Sequence, residues 1–276
     1  MYSRFTVNTD GLARLTDWFY SLTEGYDCLL DYYDSGDIIF EEHKSSIKKK
    51  LDNCIDYNTG IIDGELLEKE LFREIEADIF LSHSHLDRQL AISFAGFLKE
   101  VFKLNVFIDS CVWDYAENIL KEINERYNVI RKDKEKNRIT YSYSDANYAA
   151  SQIYLMLNSA INNMIDKTEC FMFFDTDYSC FYINKKDREA KTFSPWIYSE
   201  NKMANTIRKS TPLRFQQLPK QSISESYGMK LKISHPINLK NFFDLNSSDI
   251  QEWIEKYHDS ESTNALDDLY KLKGII

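Results

Sequence analysis

The 276-residue chain predicts an α/β fold, an open parallel sheet flanked by helices, with a helical extension at the N-terminus. Three observations carry this. Asp78-Ile79-Phe80-Leu81-Ser82 is a short apolar run of strand type. It is followed by a polar loop, an amphipathic helix and a second such run, Asn105-Val106-Phe107-Ile108-Asp109. Strand, helix and strand within about 30 residues form a βαβ unit, which requires a parallel pair and a right-handed crossover. A third apolar run, Cys170-Phe171-Met172-Phe173-Phe174, follows a long helical pattern and repeats the theme.

Taken in order, residues 1–75 read as a helical extension. Leu12, Leu15, Phe19 and Leu22 recur at helical spacing, and Asp63 can cap a helix bearing Leu66, Leu67, Leu71 and Phe72. Gly25, Gly36, Asn58 and Gly60 mark turns between them. The central domain spans 76–240. Its first helix places Leu90, Phe94, Phe97, Leu98 and Val101 on one face. A charged insertion at about 126–143 contains Arg131-Lys132-Asp133-Lys134-Glu135-Lys136-Asn137-Arg138, whose alternating signs describe a solvated segment. Ser144 or Asp145 then opens a helix with Ala149, Ile153, Leu157, Ala160, Ile161 and Met164 facing inward. Ser194-Pro195 opens the next helix, to about Arg208: serine is a favoured N-cap, and proline at the first helical position loses no hydrogen bond. Met229 to Ile233 reads as a further strand. Residues 241–276 supply closing helices, over 249–257 and 265–272.

Composition narrows the function. The chain is 43% hydrophobic and 14% aromatic, enough for a buried core, and its formal charge of −10 excludes a binder that relies on neutralising nucleic-acid phosphates. The acidity is uneven: residues 1–75 hold 8 Lys+Arg against 16 Asp+Glu, a net −8 that leaves −2 for the remainder. No run reaches the roughly 18 apolar residues of a membrane span, and the N-terminus shows no apolar signal-peptide core. Cys28, Cys54, Cys111, Cys170 and Cys180 form no CxxC pair, which fits reduced thiols in a cytoplasmic protein.

The densest chemical signal is Ser194-Pro195-Trp196-Ile197-Tyr198-Ser199-Glu200. Trp196 and Glu200 are i and i+4 on one helical face. The start of this helix belongs near the carboxyl ends of the strands, the usual ligand crevice of an open α/β sheet. The pair is therefore either a site-edge carboxylate with an aromatic, or a solvated glutamate and a core tryptophan. The loop Ser82-His83-Ser84-His85-Leu86-Asp87 can present hydroxyls and N–H groups to a phosphate, or simply cap the next helix through Asp87. His83 and His85 lack a further ligand at metal spacing, so no metal is expected. Asp109-Ser110-Cys111-Val112-Trp113-Asp114 sits on the same edge, with Trp113 either facing a ligand or packing the loop down.

In this order the pieces resemble the bacterial Toll/interleukin-1 receptor (TIR) domain. Residues 78–84 with Asp87 resemble its first strand and loop, 105–109 its second strand, and Ser194-Pro195-Trp196 through Glu200 its S-x-W-x-x-x-E helix. The likeness covers 76–240 and departs in the charged insertion; residues 1–75 resemble no named family. It implies a TIR/flavodoxin-like sheet of five strands. It also implies an NAD⁺ glycohydrolase or ADP-ribosyl cyclase with Glu200 catalytic and Ser82, His83, Ser84, Asp109, Trp113 and Trp196 around the substrate. NAD⁺ would be substrate, with no cofactor. The products would be ADP-ribose or a cyclic or conjugated ADP-ribose, acting in antiphage defence of the Thoeris type, with self-association through TIR domains and an effector protein reached by a nucleotide signal. Two alternatives stand beside it: a non-catalytic module acting by TIR–TIR association, and a nucleoside deoxyribosyltransferase of related architecture.

Overall fold

The computed structural model describes residues 1–8, 29–46, 51–56, 59, 61–71, 75–133, 138–212, 214, 235–260 and 262–276. The chain divides into two compact units, one of Met1–Phe40, Glu76–Asp109 and Met164–Ile276, the other of Glu41–Ile75 and Ser110–Asn163.

The first unit begins with β1 (Ser3–Asn8), where a helical extension was expected. Helix α1 (Leu29–Ser46) starts in this unit, and α2 (Gly64–Leu71) lies in the other. Next come β2 (Ile79–Ser82), α3 (Arg88–Phe102) and β3 (Val106–Ile108), the predicted βαβ unit. Helix α4 (Ser110–Tyr127), β4 (Val129–Asp133), β5 (Arg138–Tyr141) and most of α5 (Tyr143–Lys167) build the second unit. The chain then returns through β6 (Cys170–Asp175), β7 (Phe181–Asn184), β8 (Glu189–Thr192) and α6 (Pro195–Thr206). It ends with β9 (His235–Asn238), β10 (Phe243–Leu245), α7 (Ser247–Asp259) and α8 (Ala265–Leu272).

The main sheet has five parallel strands in the order β10-β1-β6-β2-β3, so the fold is α/β with a parallel sheet flanked by helices. Alternation along the strands assigns the faces. Ser3, Phe5 and Val7 align with Cys170, Met172 and Phe174. This face meets α8 through the Ser3 hydroxyl, which donates to Tyr270 Oη at 3.0 Å, and α3 through Phe94 against Phe174. Arg4 and Thr6 align with Phe171 and Phe173 on the opposite face, where Phe80 stacks on Phe171 and lies tilted against Phe107. That second face is the one α6 addresses, through Glu200 and Ser82.

β1 is a correction to the helical reading of residues 1–75. Phe5 and Val7 alternate as a strand requires, but Arg4 is buried too (6% exposed), so the hydrophobic signal stays weak while both faces are covered. Gly36 is a second correction: it lies inside α1 and marks no turn. A Cβ there would come within 1.9 Å of the Ile92 carbonyl oxygen, and one on Gly96 within 2.0 Å of the Tyr32 carbonyl oxygen. The two glycines let α1 and α3 touch backbone to backbone. The expected helix over residues 10–22 and strand over 229–233 lie outside the described residues.

The second unit carries the charged insertion as an exposed antiparallel β4–β5 hairpin. Asp63 caps α2 as expected, its Oδ1 accepting from the Leu66 N–H at 2.9 Å. Ala149, Ile153, Leu157, Ala160 and Ile161 of α5 are buried, the stripe the spacing predicts. Residues 241–276 hold the two closing helices, with β10 ahead of them. Among the described residues no helix is long and apolar enough to cross a membrane.

Candidate active site

Strand order locates the crevice. From β2 the chain steps to β3 on one side, then returns to β6 on the other, so the sheet reverses direction between β2 and β6. Loops leaving the carboxyl ends of such a pair diverge and open a ligand crevice. Ser82 ends β2, Asp109 follows β3, and Thr176 follows β6.

Helix α6 delivers Glu200 to this edge. Its start is set locally: Ser194 Oγ accepts from the Ile197 N–H at 3.3 Å, with Pro195 at the first helical position. Ile197, Glu200, Asn201 and Ala204 form the buried stripe, spaced i, i+3, i+4 and i+7. Asn201 ties the helix to β9, accepting from the Asn238 N–H at 2.8 Å. Trp196, one turn before Glu200, is half-buried at the margin of the stripe.

Glu200 is 1% exposed. Its Oε2 accepts the Ser82 hydroxyl proton at 2.6 Å, while Oε1 is buried without a hydrogen-bond partner. Burial first, then the charge of Asp109 and a proton shared with it, push the Glu200 carboxyl well above the ordinary range, against the Ser82 hydrogen bond. Asp109 Oδ1 is likewise buried without a hydrogen bond, although it lies 2.8 Å from His83 Nδ1 as an ion pair. Two acceptors thus converge with no donor between them, and a proton on one supplies the missing donor.

His83 is 4% exposed, with Nδ1 also 3.3 Å from the Leu81 carbonyl oxygen. Burial pulls the imidazole down, but Asp109, the Leu81 carbonyl and Asp87 together outweigh it and leave the ring raised above 6.5. Asp87 makes no capping bond to α3, contrary to the capping expectation. Its Oδ2 instead accepts from Thr176 Oγ1 at 2.6 Å and Ser179 Oγ at 3.3 Å. Burial raises the Asp87 carboxyl, opposed by Thr176, His83 and Ser179.

Ser82, His83, Asp109 and Glu200, all singled out from the sequence, therefore form one buried polar cluster. Ser84 does not join it: its hydroxyl accepts from the Leu86 N–H at 3.4 Å and caps the short turn His85–Asp87. Trp113 falls in α4, on a stretch whose side chains lie outside the described residues. Sequence reasoning missed Thr176 and Ser179, and with them the inward role of Asp87. Their signal was the pair of hydroxyls directly after a buried strand, at the carboxyl edge. Among the described residues no group of three His, Cys, Asp or Glu side chains is placed to hold a metal ion.

A buried carboxylate pair beside a hydroxyl and an imidazole can receive a cation or a vicinal diol. Either supplies what Glu200 Oε1 lacks, positive charge or a hydrogen-bond donor. No protein-family model, no curated protein and no solved structure matches the chain.

Proposed function

We propose that the chain is a TIR-type enzyme that cleaves the nicotinamide–ribose bond of NAD⁺, giving ADP-ribose or a cyclic or conjugated ADP-ribose as a signal in bacterial antiphage defence. The observation that carries this reading is Glu200, buried at the carboxyl edge of the sheet with one oxygen on Ser82 and the other free beside Asp109.

The chemistry follows from charge. When the C1′–N bond breaks, its electron pair leaves with the pyridinium nitrogen, so nicotinamide departs neutral and needs no general acid. Positive charge moves to the ribosyl carbon and ring oxygen as an oxocarbenium-like centre. Without ligand, Glu200 favours its proton, first because it is buried and then because Asp109 repels a second negative charge. An arriving cation reverses the sign of that interaction and favours the carboxylate, which then stabilises the ribosyl centre. Ribose hydroxyls donate to the free Oε1 of Glu200 and to the Asp109 carboxylate beside it, as sugars do in glycosidase sites. Attack of water on C1′, with its proton passing to solvent or to Glu200, completes hydrolysis; attack by a nucleophile within the molecule gives a cyclic product.

A scaffold acting only by association has no use for a buried, incompletely paired carboxylate, which is costly to fold around. Incubating purified protein with NAD⁺ and following nicotinamide release tests the proposal, with and without extract from infected cells to supply a trigger. Glu200→Gln is expected to lower turnover at least a thousandfold (on the order of 4 kcal/mol) with an unchanged circular dichroism spectrum. Turnover retained by that variant ends the role given to Glu200, and no nicotinamide release under either condition ends the NAD⁺ reading.

A further inference from the structure

A second polar feature lies outside the crevice. Arg4, on β1, is 6% exposed, and its Nε is buried without a hydrogen-bond partner. The other arginines that reach this sheet are paired. Arg188 bridges Thr6 Oγ1 at 2.9 Å and Asp244 at 2.8 Å, and Arg214 holds Glu169 at 2.6 Å. Among the described residues, Arg4 meets no carboxylate, carbonyl or hydroxyl acceptor at hydrogen-bond distance.

What does approach Arg4 is a like charge. After α6, the Ser210 N–H donates to the Met1 carbonyl oxygen at 2.9 Å and brings the chain back alongside the start of β1. Lys209, the residue before Ser210, therefore lies at this same end of β1. The lysine is solvent-exposed as a residue, yet its ammonium is pulled down, first by the protein packed around it and then by Arg4. A buried unpaired guanidinium beside a second cation lowers stability unless an anion completes it.

Register separates this place from the crevice. Arg4 pairs with Phe171 and Ser82 with Phe173 on the two sides of β6. Arg4 therefore lies two strands across from Ser82 and two residues nearer the amino ends, about 12 Å away from strand spacing and rise.

We propose that Arg4 and Lys209 form a binding site for a phosphate-class anion, separate from the Glu200 crevice. A guanidinium donates to two oxygens of one tetrahedral group, and the lysine adds a point charge that favours a dianion over a single carboxylate. Free phosphate and the diphosphate of a nucleotide share this chemistry.

Isothermal titration on the 276-residue chain carrying Glu200→Gln tests it with inorganic phosphate, pyrophosphate and ADP-ribose in separate arms. That background keeps the outcome apart from the NAD⁺ proposal, which depends on Glu200. Saturable binding at one site is expected in at least one arm, and the tightest arm tells free anion from nucleotide. Adding Lys209→Gln, an exposed change that folding tolerates, weakens it roughly tenfold; adding Arg4→Met abolishes it. Should the methionine variant fail to fold, the lysine variant decides alone. Absence of saturable binding in all three arms, or unchanged affinity with Lys209→Gln, overturns the site.

Discussion

Glu200 is held in a position where folding and chemistry ask for opposite protonation states. Its carboxyl is raised in the folded protein, first by burial and then by Asp109, so the folded chain keeps a proton that the unfolded chain has released. Stability therefore falls as pH climbs from about 4.5, the unfolded value, through the raised folded value. His83 acts in the same direction. Its raised imidazole contributes stability fully below 6.5 and loses it as pH rises through the folded value. Glu200→Gln supplies a neutral donor to Asp109 and removes the penalty. Its melting temperature should exceed that of the parent by a few degrees at pH 8 and converge with it near pH 5, read by calorimetry. A difference that does not change with pH would show that Asp109 and Glu200 do not share a proton. Ser82→Ala removes the one hydrogen bond that favours the charged form. The acid limb of the proposed NAD⁺ turnover should then move to higher pH, with a loss of roughly tenfold at neutral pH; an unmoved limb places Ser82 outside the titration. The members of this cluster were legible because each follows a recognisable strand end or helix start. Their mutual contacts were not, since Ser82 and Glu200 are 118 residues apart and only the folded sheet brings them together.

Elements were readable in proportion to how local their determinants are. Helix α6 begins where Ser194-Pro195 says it should, because cap and first turn are set within four residues. Helix α8 spans Ala265–Leu272, the predicted segment, with Asn264 accepting from the Leu266 N–H at 2.9 Å. Strand β1 was missed because its stability comes from partners at 170–175 and 243–245, which no local window contains. Gly36 misled for a related reason. Glycine is a turn signal in sequence, but here it serves an interhelical contact with α3, 60 residues later. Gly36→Ala and Gly96→Ala each place a methyl inside 2.1 Å of a carbonyl oxygen, which forces the helices apart. Each should cost at least about 3 kcal/mol, read from the midpoint of urea unfolding. A cost near zero would mean that α1 does not cross α3 there.

The acidic front of the chain looks like a separable docking segment when charge alone is considered. Its fold says otherwise: residues 1–40 belong with the main sheet and 41–75 with the second unit. Removing residues 1–8 takes out a strand that lies between β10 and β6, and should leave no soluble folded protein by size exclusion and circular dichroism. A monodisperse, native-like product would show the sheet to be closed without it. The Met1 amine donates to the Asp166 carbonyl oxygen at 2.7 Å and ties the start of β1 to the last turn of α5.

The place of β1 in the sheet also sets the order in which the chain can assemble during synthesis. Of the five strands of this sheet β1 is made first, and it waits for residue 175 to gain one neighbour and for residue 245 to gain the other. The βαβ unit of β2, α3 and β3 closes over about 30 residues and can form early, whereas β1 must cross two long loops before it is paired. Until then Phe5 and Val7 travel as an open strand edge, the form of chain that misassembles or recruits chaperones. Completion of this sheet is therefore timed by residues 170–245, although β1, which lies between two of its strands, is made before them.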